Sequence, residues 1–316
     1  MKDYLRKIKL HKKKVIQHNF LFVPIFLVTL LLFVVVIDIF QKGRYLVLSL
    51  NQDPNFAHEV KSYPLLKNRY EPFITAQAAL IIDKESKVVL YEKNKNLRFS
   101  PASTTKIMTA LVGLDNYKLD DVLEVKDTIT EGSVLGLFKG QRITFGNLLY
   151  AMMLPSANDA ATAIAQNYPG GENKFIDKMN EEVKKMRLKN THFDDPAGLL
   201  DKSGFTTAIE LSNIASIALD NKIFAKVVST PQKHIYDDSG FPYFILNKNK
   251  LLGIEGVNGI KTGFTEEAGD VLGTSRNHND HTLIIVVLRS QDRFADTYEL
   301  LRLINSENLT YLPIRF

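Results

Sequence analysis

Ala78-Ala79-Leu80-Ile81-Ile82-Asp83-Lys84-Glu85-Ser86-Lys87-Val88-Val89-Leu90-Tyr91 is the stretch whose reading decides the fold. Two short apolar runs, 78–82 and 88–91, flank a polar segment of the kind that reverses a chain. The pattern predicts a β-hairpin. Strand patterns return only near the other end, at 256–262, 271–275 and 282–288. Asn277-His278-Asn279-Asp280 reads as the turn between the last two. Between these ends the period is helical. One helix is expected from about Ser103, burying Ile107, Met108, Ala110, Leu111 and Leu114. Others are expected at 145–154, 159–167, 174–186 and 208–219, with 299–304 in a last one. Thr207 and Glu210 have the spacing of a capping box, each side chain accepting from the other's backbone N–H. The simplest arrangement is α+β: a central antiparallel sheet built from both ends, flanked by helices, with a helical lobe inserted.

Working outward, residues 20–37 are apolar except for Pro24 and Thr29. At 1.5 Å per residue they span about 27 Å, close to the core of a bilayer. Lys2, Arg6, Lys7, Lys9, Lys12, Lys13 and Lys14 precede them and hold much of the formal net charge of +5. Such a basic tail next to an apolar run fixes membrane orientation more often than it binds nucleic acid. A cleaved signal peptide would have a shorter apolar core and a small-residue cleavage site. Ile37-Asp38-Ile39-Phe40-Gln41-Lys42 offers no such site. The expected organisation is a cytoplasmic tail over 1–19, one transmembrane anchor over 20–40, a spacer over 41–75 and an extracytoplasmic folded domain over 76–316. The chain has no cysteine, which excludes disulfides, a thiol nucleophile and Cys-ligated zinc.

Three short motifs carry chemistry, in this order: Ser103-Thr104-Thr105-Lys106, Ser156-Ala157-Asn158 and Lys261-Thr262-Gly263. Residues three apart on a helix share a face, so Lys106 points back toward Ser103. A serine hydroxyl is a poor nucleophile until a base takes its proton. A lysine serves as that base only when burial or a neighbouring cation lowers its pKa, and Lys261 offers such a cation. Ser156 and Asn158 can turn a hydroxyl and an amide into one cleft. The 261–263 segment reads as an edge strand that a peptide can extend by main-chain hydrogen bonds. Lys261 and Thr262 can meet its terminal carboxylate, and Gly263 permits close approach. Taken singly, each motif reads equally as a helix cap, a turn or a solvated lysine.

The joint pattern resembles the low-molecular-mass penicillin-binding proteins, the serine D-alanyl-D-alanine carboxypeptidases, over about 76–301. Phe99-Ser100-Pro101-Ala102-Ser103-Thr104-Thr105-Lys106-Ile107-Met108-Thr109-Ala110 carries that resemblance, as do Asn190-Thr191-His192-Phe193 and Pro196-Ala197-Gly198-Leu199. Gly259-Ile260-Lys261-Thr262-Gly263-Phe264-Thr265-Glu266-Glu267-Ala268-Gly269 carries it most strongly. The resemblance implies a penicillin-binding, β-lactamase-like fold and roles for single residues. Ser103 would form the acyl-enzyme and Lys106 would be its base. Ser156 and Asn158 would relay the proton and grip substrate. Lys261 and Thr262 would hold the carboxylate, and the backbone N–H groups of Ser103 and Phe264 would form the oxyanion hole. It also implies a stem-peptide substrate ending in D-Ala-D-Ala, inhibition by β-lactams and no cofactor. Some members have histidine where this chain has Phe264, which bears on substrate preference.

Other readings stay open at this stage. A D,D-endopeptidase attacks the same carbonyl with a different leaving amine. A class A β-lactamase needs a glutamate four residues before an asparagine. Glu210 with Asn213 and Glu255 with Asn258 are each one residue too close. An inactive wall-binding protein would have lost one of Ser103, Lys106 or Lys261. No metal site is expected: the histidines are scattered, and His278 and His281 read as neighbours on a solvated turn.

Overall fold

The apolar runs of the sheet strands are continuous because both of their faces are buried. The computed structural model describes residues 62–199, 203–278 and 280–314. In chain order the strands are β1 (Ser62–Leu66), β2 (Ala78–Asp83), β3 (Val89–Lys93), β4 (Val122–Glu124), β5 (Arg142–Thr144), β6 (Gln232–Tyr236), β7 (Pro242–Leu246), β8 (Val257–Thr265), β9 (Gly269–His278), β10 (His281–Ser290) and β11 (Leu309–Pro313). The helices are α1 (Lys106–Asn116), α2 (Phe145–Met153), α3 (Asn158–Gln166), α4 (Glu172–Lys185), α5 (Ala208–Asp220), α6 (Lys222–Val228) and α7 (Arg293–Leu303).

The central sheet has the order β3-β2-β10-β9-β8, and every pairing in it is antiparallel. Side chains alternate faces along each strand. Ala78, Leu80 and Ile82 of β2, with Ile284, Val286 and Leu288 of β10, enter a core shared with α1 to α6. Ala79 and Ile81, with Leu283, Ile285 and Val287, enter a second core closed by α7 and by Leu66 and Leu309 of the β1–β11 pair. The chain between β3 and β8 supplies α1 to α6 and the short pairs β4–β5 and β6–β7. β8 is left as a sheet edge, as its sequence predicts.

Several expectations need correction. The helix expected from Ser103 begins as a 3₁₀ turn, Ala102–Thr105, and becomes α-helical only at Lys106. Residues 62–75, read as spacer, belong to the folded unit: β1 pairs with β11, and Ile74 is buried. The remainder of the spacer, the basic tail and the transmembrane anchor at 20–40 lie outside the described residues. The capping box is half made. Thr207 Oγ1 accepts from Glu210 N at 3.2 Å. The Glu210 carboxylate turns instead to Lys189 N, Asn190 N and the Thr191 hydroxyl, at 3.0, 2.9 and 2.7 Å. β4 to β7, β11 and α6 were not expected at all. They are short, and β11 pairs with the distant β1, although β6 and β7 form a local hairpin.

His278 and His281 are strand residues, not a solvated turn. The His281 ring stacks on Tyr311 at 3.9 Å. Its Nδ1 lies 3.1 Å from buried Asp83 and its Nε2 lies 2.9 Å from Ser62 Oγ. The tautomer with its proton on Nδ1 serves both contacts: Nδ1–H donates to the carboxylate and Nε2 accepts from the serine hydroxyl. Asp83, Glu85 and His281 bring donor atoms within 4.8 Å of one another. Each is already engaged, Asp83 also by Tyr311 Oη and Ser86, and Glu85 by Thr282 N. The cluster is a hydrogen-bond network that ties β1 and β11 to the sheet.

Candidate active site

The turn before α1 is tight because its hydrogen bonds close early. Thr104 donates to Pro101 O from its backbone at 3.1 Å and from its hydroxyl at 2.5 Å, and Ala102 takes a φ of 44°. In a 3₁₀ segment residues i and i+3 eclipse. Lys106 Nζ therefore lies 2.9 Å from Ser103 Oγ.

The Lys106 amine is fully buried and has two further acceptors, Asn158 Oδ1 at 2.7 Å and Ala197 O at 2.6 Å. As an ammonium it donates to all three. As a neutral amine it keeps two protons on Asn158 and Ala197, and its lone pair faces the Ser103 hydroxyl. Burial pushes Lys106 down to about 7, helped by the charge of Lys248 and opposed by Asp195 and Asp159. The amine is thus near the point where it can take a proton at neutral pH.

Asn158 heads α3, and its amide cannot flip freely. Its Nδ2 donates to Glu131 O at 2.9 Å, which leaves Oδ1 for Lys106. Neighbouring Asp159 holds the facing loop by accepting from Leu135 N, Gly136 N and Leu137 N at 2.9–3.0 Å. Ser156 precedes this helix at φ 67° and is 4% exposed.

β8 brings the third motif alongside. A Cβ added to Gly263 would lie 3.0 Å from Ser103 N and 3.1 Å from Ala102 Cβ. Glycine is what allows the strand to pass so near the nucleophile. Lys261 is buried, and its Nζ donates to Thr262 O at 3.0 Å. Burial holds Lys261 well below the usual lysine range, and Lys106, Lys248 and Arg293 lower it further. Repulsion between the two buried amines is mutual, so a charge on one disfavours a charge on the other. The sequence reading left burial or a neighbouring cation such as Lys261 as the means of lowering Lys106. Burial is the largest cause, and the cation that adds to it is Lys248.

A cleft of about 370 Å³ is lined by Ser103, Ser156, Asn158, Thr262, Gly263 and Phe264. Lys106 and Lys261 are buried behind its wall. All eight residues singled out from the sequence therefore meet at one place.

Four contributors have no role in the sequence reading. Asp195 accepts from Ala197 N at 2.7 Å and Gly198 N at 2.6 Å, and this turn presents Ala197 O to Lys106. Gly198, at φ 74°, packs so tightly that a Cβ there would lie 1.8 Å from Ala102 O. The run Asp195-Pro196-Ala197-Gly198 carries a turn signal that could have placed it. Lys248 Nζ donates to Ser133 Oγ at 2.6 Å on the cleft wall. Arg293 also lines the cleft, bonded to Gly263 O and to Asp270. Neither cation sits in a motif.

A family model described as D-alanyl-D-alanine carboxypeptidase matches residues 66–292. The chain belongs to this family. It is 32% identical over 220 residues to D-alanyl-D-alanine carboxypeptidase DacF of Bacillus subtilis, covering 67% of this chain and 57% of that protein. It is 31% identical over 252 residues to a D-alanyl-D-alanine endopeptidase of Pseudomonas aeruginosa, covering 76% of this chain and 80% of that one. The crystal structure of the Streptomyces K15 DD-transpeptidase superposes with a TM-score of 0.70 at 32% identity, covering 75% of this chain and 98% of that one. Membership of this D-alanyl-D-alanine carboxypeptidase family fits a site built on a serine, two buried lysines and an edge strand that passes the serine at a glycine.

Proposed function

We propose that the protein is a serine-type D-Ala-D-Ala carboxypeptidase that removes the terminal D-alanine from peptidoglycan stem peptides through an acyl-enzyme on Ser103. One observation carries this reading: the Ser103 hydroxyl lies 2.9 Å from a fully buried amine that is held down to about 7. Neutral Lys106 takes the hydroxyl proton as Oγ attacks the carbonyl of the penultimate D-alanine. The backbone N–H groups of Ser103 and Phe264 receive the oxyanion. Asn158 orients the peptide. Ser156 passes a proton to the leaving D-alanine amine. Thr262 bonds the substrate carboxylate, Lys261 backs it from behind the wall, and Arg293 beside the cleft adds positive potential. Water then releases the shortened peptide from Ser103. A β-lactam offers an amide to the same hydroxyl and inhibits by acylating it.

The endopeptidase reading has specific support, since the Pseudomonas relative carries that name and is matched over more of its length. Incubation with a pentapeptide muropeptide and with a cross-linked dimer, followed by mass analysis, separates the two. Release of free D-alanine is the expected result. Conversion of the dimer to monomers with the pentapeptide untouched would replace the proposal.

We also propose that residues 20–40 anchor the chain in the cell membrane, with the N-terminus cytoplasmic and the catalytic unit outside. The apolar run and its basic flank support this. Among the described residues no helix is long and apolar enough to cross a membrane. Digestion of the catalytic unit by protease added to spheroplasts is the expected outcome. Full protection there would overturn the topology.

A further inference from the structure

Outside the cleft, the ribbon β6–β7 holds one apolar face to solvent. Ile235 and Ile245 point inward and are buried, so the alternate positions point out. The register sets Gln232 opposite Leu246, His234 opposite Phe244 and Tyr236 opposite Pro242 on that outer face. Tyr236 is 51% exposed, Phe244 and Leu246 each 55%, and Phe241 in the connecting turn 57%. The His234 and Phe244 rings lie 4.8 Å apart. The inner side is firmly attached. Asn147 Nδ2 donates to Tyr236 O at 2.8 Å, Gln141 Nε2 donates to Tyr243 Oη at 2.7 Å, and Lys233 Nζ sits 4.6 Å from the Tyr150 ring centroid. The inner end of the face is two residues from Lys248, which lines the cleft.

We propose that this face is a carbohydrate-binding strip, on which the glycan chain of polymeric peptidoglycan lies while one of its stem peptides enters the cleft. The inference deepens the substrate assignment above and rests on it. Chemistry, reach, charge and area all favour this occupant. One face of a pyranose ring is a row of C–H bonds that pack on the electron-rich face of an aromatic ring, while its hydroxyls meet polar groups at the edge. The strip supplies both, with Phe244 and Tyr236 rings beside His234, Gln232 and the Tyr236 hydroxyl. A stem peptide acylated at its fourth residue reaches about 14 Å back to its sugar when extended. The near end of the strip, Leu246, is two residues from Lys248 on the cleft wall, about 7 Å along an extended chain, so that end lies within this reach.

A lipid surface suits this face less well. Its outer turn carries Asp237 and Asp238, the second paired with Arg142 at 3.5 Å. Asp237 adds negative charge there and Asp238 is offset by Arg142, so the turn offers anionic headgroups no net attraction. A second copy of the chain suits it less well too. Four half-exposed large side chains present on the order of 400 Å², about half of what each side of a stable protein interface buries.

The test uses the full chain in detergent and two probes: glycan strands stripped of their peptides, and intact sacculi. The variants are Tyr236→Ser with Phe244→Ser and, separately, Phe241→Ser with Leu246→Ser. For either pair, retention on stripped glycan and D-alanine release from sacculi should fall about tenfold. Turnover of a soluble pentapeptide should stay within about twofold. Wild-type retention on glycan that neither pair weakens would overturn the strip, and so would absence of retention in the wild type. Loss of soluble turnover in both pairs would assign the face a structural role and overturn it equally. If retention follows vesicles of anionic lipid, or if the variants change only the oligomeric state, another occupant replaces glycan. Labelled penicillin is added to each sample as an independent control. Failure to acylate Ser103 would indict the catalytic reading, while the glycan measurement still judges the strip.

Discussion

Two serine–lysine pairs line or back the same cleft, and they differ instructively. Lys106 Nζ lies 2.9 Å from Ser103 Oγ, and Lys248 Nζ lies 2.6 Å from Ser133 Oγ. By distance alone the second pair is the better candidate. The first amine is fully buried, with two further acceptors and a tight turn fixing its partner. The second is exposed, and only partial desolvation and Arg293 lower it. Proximity does not make a base. Removal of the amine from water does, because desolvation disfavours the charged form.

The largest expected effect tests the nucleophile. Ser103→Ala should abolish covalent labelling by penicillin, whereas Ser133→Ala should retain it within a few-fold. Labelling that survives in the first variant would break the comparison outright. Next come the bases. Lys106→Ala should slow acylation by roughly 10³–10⁴ while circular dichroism shows the domain folded. Lys248→Ala should slow it by less than about tenfold. Equal losses would mean that burial is not the distinction.

Gly198→Ala tests the packing that fixes the first pair. Its φ of 74° and the 1.8 Å approach to Ala102 O leave no room for a methyl group. Tm should fall by roughly 5–10 °C, with acylation slowed as the turn shifts. An unchanged melting curve would show that the turn yields freely.

The smallest effect is a shift in pH dependence. Lys106 must be neutral to accept a proton, and it is lowered to about 7. Acylation should therefore rise as pH increases through about 7 and level off above it. Lys248 contributes to that lowering. Lys248→Gln removes the nearby charge, raises the Lys106 pKa and moves the rising limb to higher pH. A limb that stays put would remove Lys248 from the electrostatics of the site.

Sequence reading reached the catalytic side chains because each motif carries its own local geometry. Ser103 and Lys106 meet through a spacing of three, and Gly263 advertises close approach by lacking a side chain. The sheet was legible because β2, β9 and β10 have apolar runs that no helix would need. The rest is written at long range. Ala197 acts through a backbone carbonyl, which every residue has, and only the fold selects which one faces the amine. Lys248 and Arg293 are single basic residues among many. β1 finds β11 across nearly the whole catalytic unit, and the His281 ring is covered by Tyr311 of that same distant strand. The helix start was misplaced because helical period does not distinguish a 3₁₀ first turn from an α-helical one.

The turn bearing Ser103 is gripped from two sides, by Gly263 on β8 and by Gly198 on the loop from Asp195. Neither neighbour can grow without displacing the nucleophile, so this part of the molecule offers selection almost no variants to work with. Diversification toward new leaving groups must proceed through the outer rim instead, where Phe264, Leu199 and Lys248 face open space. The enzyme would then change its clientele while its reaction stays the same.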